Sequence, residues 1–194
     1  MNRMKLRIEI LAVLVVVASL LGGCSTTPKN TTEDHRQTIL AMRDRTLNEF
    51  YALKDSARAE IEKAPGYAVF NSAGIKLLVV GAGGGRGVVV DNRTGKNTYM
   101  NMAELGAGLG LGLKDVRVVF VFHDAEALDD FISNGVTIGA NATAAAKYED
   151  SGDAGGGELV VNNISIYQIT DSGLALELMI SGTKYWPDGR LNSL

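Results

Sequence analysis

The chain has one cysteine, Cys24, and two histidines, His35 and His123. A disulfide within the chain is excluded, and so is any CxxC redox or zinc motif. Two histidines cannot supply a His-rich metal site by themselves. Phosphate-binding signatures are missing as well. The glycine runs invite a dinucleotide reading, but a G-x-G-x-x-G frame begun at Gly81 ends on Arg86, one begun at Gly106 ends on Leu111, and one begun at Gly108 ends on Leu113. The segment "GLKD" (112–115) fails the G-K-[ST] ending of a phosphate loop. No serine has the G-x-S-x-G context, and nothing pairs a nucleophile with a base. An enzyme is not expected, and no cofactor is implied. A formal net charge of −3 argues against nucleic acid as a partner, because an acidic domain binds it poorly unless its basic residues cluster.

No long spanning segment stands at the start. The apolar run Ile10–Leu21 has 12 residues, where a membrane-crossing helix needs about 20. It follows Arg3, Lys5 and Arg7 (with Glu9) and ends in "LLGGC". A basic start, a short apolar run and small residues before a cut site make an export signal. The ending resembles the lipobox of bacterial lipoproteins. That resemblance implies lipidation of Cys24, cleavage before it, and acylation of the new amino terminus. With more than one acyl chain the anchor is stable. Ser25 follows in place of the aspartate that retains many lipoproteins in the inner membrane, so the expected location is the outer membrane of a bacterial envelope, facing the periplasm. The expected organisation is a cleaved signal over 1–23, an acylated cysteine with a flexible tether over 24–33, and one domain over 34–194. At 194 residues and 46% hydrophobic content the chain suits one core.

From about Glu33 to Ala64 the pattern is helical. Ile39, Met42, Leu47, Phe50, Leu53, Ala57 and Ile61 share one face. Asp55 and Ser56 allow a break near 54. The remainder reads as strands. "YAVF" (67–70) is a short one, residues 87–100 form a hairpin turning at Asp91 to Gly95, and "VRVVFVF" (116–122) is buried. Asp124 caps a short helix that Gly135 ends. A second hairpin has alternating Ile164 and Ile166 before "DSG" and Leu174, Leu176, Leu178 and Ile180 after it. Residues 148–158 read as a loop.

Glycine stands at 81, 83, 85 and 87, and again at 106, 108, 110 and 112. Period two is the strand period. A strand with one bare face loses packing, so such a face serves close approach or sharp curvature. It also offers a possible groove floor for an acyl chain or headgroup.

The segments "EKAPGYAVF" (62–70), "GGGRGVVV" (83–90), "GAGLGLGLKDVRVVFVFHDAEALDDF" (106–131), "GANATAAA" (139–146) and "GLALELMISGTKYW" (173–186) occur in this order. Together they resemble the SYLF lipid-binding domain family, most closely its exported bacterial branch. The W-S-x-P and G-P-x-G-R elements of that pattern are replaced by "TYMNMAE" and "AAAKYED". The resemblance implies an α+β fold, with an N-terminal helix or helix pair on a strongly curved, mainly antiparallel, glycine-rich sheet and a short helix near 124–134. In eukaryotic members it implies binding of acidic phospholipids through an amphipathic N-terminal helix, and in some members binding of actin.

On the helical wheel Arg36, Arg43, Lys54 and Arg58 border the apolar face that carries Leu47 and Phe50. This is the arrangement of an interfacial helix whose cations meet lipid phosphates. It is equally that of a core-packed helix with snorkelling cations. The six residues are the lipid-binding candidates, beside a covalent membrane partner at Cys24. The alternative role is an envelope stress or structural protein docking another protein through the same helix face. His123, Asp124, Glu126, Asp129 and Asp130 cluster at a helix start, where acidic groups suit the helix dipole better than a metal. Tyr185 and Trp186 read as core or rim.

Overall fold

The computed structural model describes residues 31–139, 158–170, 173–175 and 182–193, with backbone alone over 74–81 and 105–115. Cys24, its leader and tether, and the 148–157 part of the expected loop lie outside the described residues. The described architecture is α+β. Helices α1 (Thr32–Leu53) and α2 (Ala57–Lys63) lead into strands β1 (Gly66–Asp91) and β2 (Lys96–Phe122). Helix α3 (Ala125–Asn134) follows, then β3 (Val136–Ile138), β4 (Glu158–Val161), β5 (Ile164–Thr170), β6 (Gly173–Ala175) and β7 (Gly182–Pro187). One seven-stranded sheet has the order β3-β7-β2-β5-β4, with β1 also on β2 and β6 on β5. Among the described residues the strand pairings are antiparallel.

The sheet is organised by one hairpin. β1 and β2, 26 and 27 residues long, pair from Gly66↔Phe122 to Asp91↔Lys96. A straight strand of that length spans roughly 85 Å. The two ends of β1 nevertheless meet. Asn92 N donates to Pro65 O at 2.9 Å, and Asn92 Nδ2 donates to Ile61 O at 2.8 Å and Ala64 O at 2.9 Å. The hairpin therefore curls until its tip rests on the chain entering β1. A register shift between Leu78 and Val80 sits in the middle of the curl, where a bulge adds local bend and twist.

The glycines allow the curl to tighten. A Cβ at Gly85 would fall on the backbone of Asn71 and Ser72, and one at Gly87 on Val69 O and the Phe70 ring. The far end of β1 thus lies directly on its own beginning, which is the close approach expected of a bare face. Gly81, Gly106 and Gly112 are strand residues paired with Gly106, Gly81 and Lys76, and Gly110 pairs with Leu78. Gly108 falls at the register shift, and Gly83 pairs with Glu104. The side-chain surroundings of 81, 106, 108, 110 and 112 lie outside the description.

The expected short strand 67–70 and the strand entering the first hairpin are a single strand. The glycine-rich residues between them stay paired with β2 while bending, so no turn interrupts the ladder. The alternation of β1 and β2 then buries both sheet faces. Tyr67, Val69, Val88, Val119 and Val121 face α1 and α2, where Ile39, Met42, Leu47, Phe50 and Ile61 pack on them. Phe70, Met100, Met102, Phe120 and Phe122 face into the curl, which Tyr185 fills and Leu128 and Phe131 of α3 close. Phe70, Phe120, Phe131 and Tyr185 meet edge-on or tilted, with ring centroids 4.7 to 6.3 Å apart.

The helix boundaries follow their local chemistry. α1 ends at Leu53, and α2 restarts at Ala57 after Lys54–Ser56, as the break near 54 predicts. Ser56 does not cap α2 through its side chain; its hydroxyl donates instead to Glu60 Oε1 at 2.6 Å. Asp124 caps α3 by accepting from Ala127 N at 2.7 Å, and Gly135 leaves it at φ 67°. Asp124→Ala should cost about 0.5–2 kcal/mol, read as a lower urea midpoint with an unchanged slope.

Candidate functional site

Each of the four candidate cations on the leading helices has a partner inside the domain. Arg36 donates from Nε to Leu191 O and from Nη2 to Ser193 O, both at 2.9 Å. Its guanidinium also lies 5.8 Å from the Tyr99 ring centroid, so it ties the start of α1 to the C-terminal turn. Arg43 pairs with Asp44 at 2.7 Å. Lys54 pairs with Glu60 at 3.2 Å and lies over the Tyr167 ring. Arg58 stacks on Tyr51 at 4.2 Å. Leu47 and Phe50 are buried between α1 and the sheet, with Phe50 fully enclosed and 4.7 Å from Tyr167. Leu53, 41% exposed, is the large apolar residue of this face that reaches solvent. The structure thus turns Leu47 and Phe50 to the sheet and leaves Arg36, Arg43 and Lys54 partly exposed and Arg58 exposed at the border of that layer.

Glu60 shows how the far end of this interface is balanced. Burial raises its carboxyl, but donors from Ser56, Tyr167 and Lys54 more than offset that, and it ends below its usual range. Tyr167 Oη donates to Glu60 Oε2 at 2.9 Å, and Arg117 pairs with Glu49 at 2.6 Å. Both contacts tie the helices to sheet residues through groups whose charge is partly shielded from water.

A second ionic cluster clamps the hairpin tip. Arg93 pairs with Asp91 at 2.9 Å and with Asp129 of α3 at 2.6 Å. The Arg93 guanidinium, and behind it the backbone N–H of Arg93, hold the Asp91 carboxyl down at about 2, against 3.8 ordinarily. A depressed carboxyl stabilises the fold above its unfolded value and loses that contribution as pH falls through the folded one. Arg93→Ala should therefore lower the urea midpoint at pH 6, and its deficit relative to wild type should shrink between pH 4 and pH 2. A deficit constant across that window would show that the pair carries no linkage. The spacing of Arg93 in the turn gave no signal of this role, because Asp129 is reached only once the hairpin has curled.

The acidic group at the start of α3 is divided among structural duties. Asp124 caps the helix and accepts from Asn163 Nδ2 at 2.5 Å. The backbone N–H of Ala127 and then Asn163 hold its carboxyl below the usual range. Asp129 pairs with Arg93, and Asp130 accepts from Asn134 at 2.6 Å. Among the described residues no three His, Cys, Asp or Glu side chains converge as metal ligands. The structure does pair His123 Nε2 with Ser165 Oγ at 2.7 Å, which the sequence pattern does not show. Ser165 is fully buried, so no substrate carbonyl reaches that hydroxyl in this arrangement. Tyr185 is core and Trp186 is partly exposed at the rim.

Residues 103–194, from β2 through the C-terminal turn, match the family Ysc84, described as Las17-binding protein actin regulator. Beta cell expansion factor A of Aeromonas veronii is 35% identical over 161 residues, which cover 81% of this chain and 59% of that protein. The chain carries a SYLF-type domain. It spans 59% of the length of this relative. The family description is one of binding rather than of catalysis. Among the described residues no helix is long and apolar enough to cross a membrane.

Proposed function

We propose that this SYLF domain is the periplasm-facing part of an outer-membrane lipoprotein, anchored by acylated Cys24, and that it binds acidic phospholipid surfaces without catalysing a reaction. The observation that carries the reading is the packed interior. Phe70, Phe120, Phe131 and Tyr185 fill the curl, and Gly85 and Gly87 bring backbone onto backbone. Binding then belongs on the outside of the domain, as it does for a protein that reads a membrane surface. The lipobox-like "LLGGC" supplies the covalent part, and Ser25 favours outer-membrane sorting.

Two measurements test it. Cys24→Ser should move the protein out of the membrane fraction; unchanged fractionation rejects the anchor. The core is built from residues at Ile39 and beyond, so a domain starting at Thr32 retains it. That domain should float with phosphatidylglycerol-containing vesicles at low salt and much less at 0.5 M salt, since screening shortens the reach of exposed charge. Flotation with neutral vesicles alone, or none at low salt, rejects the acidic-lipid reading and leaves the anchor standing.

A further inference from the structure

The leading helices cover only part of the outer sheet face. Along β2 the last covered row is Val88↔Tyr99, both buried. The next outer rows are open: Arg86↔Asn101↔Trp186, then Gly84↔Ala103↔Lys184. Arg86, Gly84 and Lys184 are exposed, and Asn101, Ala103 and Trp186 are partly so. Among the described residues a Cβ at Gly84 would meet Met102 O alone, at 3.8 Å, so the strip is open at this position. The alternation that turns Met102 and Tyr185 inward turns these six outward.

Charge separates this face from the helix edge. Among the described residues Arg86 and Lys184 make no ion pair, whereas Arg36, Arg43 and Lys54 each have an acidic partner and Arg58 stacks on Tyr51. None of the six is acidic. The nearest carboxylate in sequence, Glu104 beside Ala103, alternates to the other sheet face in the row Gly83↔Glu104↔Thr183, and Asp188, which is buried, bonds Asn101 and takes N–H bonds from Arg190 at 2.9 Å and Leu191 at 3.1 Å. Two exposed cations and a partly exposed indole on this open strip suit an interface of anionic headgroups over acyl chains, where tryptophan and arginine both partition.

Chain length adds an independent argument. Arg36, in the first turns of α1, lies over Tyr99, one outer position from Asn101, so α1 begins beside the open face. From Cys24 to Thr32 is eight residues, at most roughly 28 Å of extended chain. α1 then runs 22 residues, or roughly 33 Å, toward Lys54 and Arg58. An anchor at Cys24 therefore keeps the open face within reach of the bilayer, while the far helix end can stay one helix length further off.

We infer that the Arg86–Asn101–Trp186 and Gly84–Ala103–Lys184 rows of the sheet, rather than the basic edge of the helix, form the surface that meets anionic lipid. This rests on the lipoprotein reading above. Trp186 is the only tryptophan of the chain, so it reports on its own surroundings. The full acylated protein would be reconstituted into vesicles whose acyl chains are brominated near the headgroup, with phosphatidylglycerol present or absent. Trp186 fluorescence should be quenched in anionic vesicles, less in neutral ones, and recover with salt. Each cation near such a surface contributes roughly fivefold to the contact equilibrium. Arg86→Glu with Lys184→Glu should therefore reduce the quenched fraction at least about tenfold, with Arg86→Gln and Lys184→Gln intermediate and available if the reversal fails to fold. Arg43→Glu with Arg58→Glu should leave quenching in place.

Absent or headgroup-independent quenching in protein that still floats overturns the inference and spares the anchor. Quenching that survives the sheet reversal but not the helix reversal overturns it in favour of the helix. An emission shift given by a soluble acidic polysaccharide and not by vesicles assigns the face to a glycan instead. Protein that does not associate with vesicles at all removes the lipoprotein reading and this one with it.

Discussion

Valine at Gly85 should leave little folded domain, while valine at Gly84, one residue away, should fold normally. The two positions face opposite sides of β1. At Gly84 the added atoms enter solvent beside Met102 O, 3.8 Å away, and a β-branched residue suits a strand. At Gly85 the Cβ itself would occupy the space of Asn71 O and the Ser72 Cα. Overpacking a core against side chains costs typically about 1–3 kcal/mol, because rotamers move aside. Here the obstacle is the backbone of the same strand, which moves only if the curl opens. Opening it would separate Asn92 from Pro65 and expose the aromatic interior, so the cost should exceed about 4 kcal/mol, a large share of the roughly 5–15 kcal/mol that holds a domain together. Gly87→Val should behave likewise against Val69 O and Phe70. Urea unfolding of the Gly84 and Gly85 variants side by side decides the matter. A Gly85 variant as stable as wild type would mean that the strand does not lie on itself.

The glycine pattern pointed to a strand with close approach or sharp curvature, because period two is the strand period and the nucleotide alternatives fail on spacing. Asp124 and Gly135 marked α3 for the same kind of local reason, and Asp55–Ser56 marked the break between α1 and α2. What the sequence hid is everything that depends on which strand lies beside which. β1 reads as separate pieces because "YAVF" and "GVVV" are the strongly apolar stretches, and the glycines between them look like a turn until they are paired with β2. Arg86, Asn101 and Trp186 lie far apart in the chain and become one row only through the β1–β2–β7 register. The partners of the helix cations were hidden in the same way. A wheel shows that Arg36 and Lys54 border the apolar face, but Leu191 O comes from the C-terminal turn and Tyr167 from β5. Glu60 lies on α2, and the break between α1 and α2 brings it to Lys54.

Phe50→Ala is expected to destabilise the domain by about 3–5 kcal/mol and to leave vesicle binding by the folded fraction unchanged. Phe50 is fully buried, 4.7 Å from the Tyr167 ring, in the cluster that joins Met42, Leu47 and Ile61 to Val69, Val119 and Ile169. Truncation removes aromatic area at the centre of that layer, and the neighbours are held by the sheet ladder, so the site cannot collapse to fill it. Leu53→Ala is the matched control: the residue is 41% exposed, and the change should stay within about 0.5 kcal/mol. An interfacial helix predicts the reverse order. If α1 left the sheet to lie in the headgroup region, Phe50 would enter lipid, and its loss would weaken flotation more than it weakened the fold. The helix would also have to give up the Arg117–Glu49 pair, the Lys54–Glu60–Tyr167 contacts and the Arg36 bonds to the C-terminal turn, in addition to exposing its apolar face to water on the way. Those contacts favour the docked helix, and on the proposal above the surface that meets lipid is the sheet that the helix does not cover. Urea unfolding paired with flotation of the Phe50 and Leu53 variants separates the two. A Phe50 variant of wild-type stability that no longer floats would place the helix, and not the sheet, at the membrane.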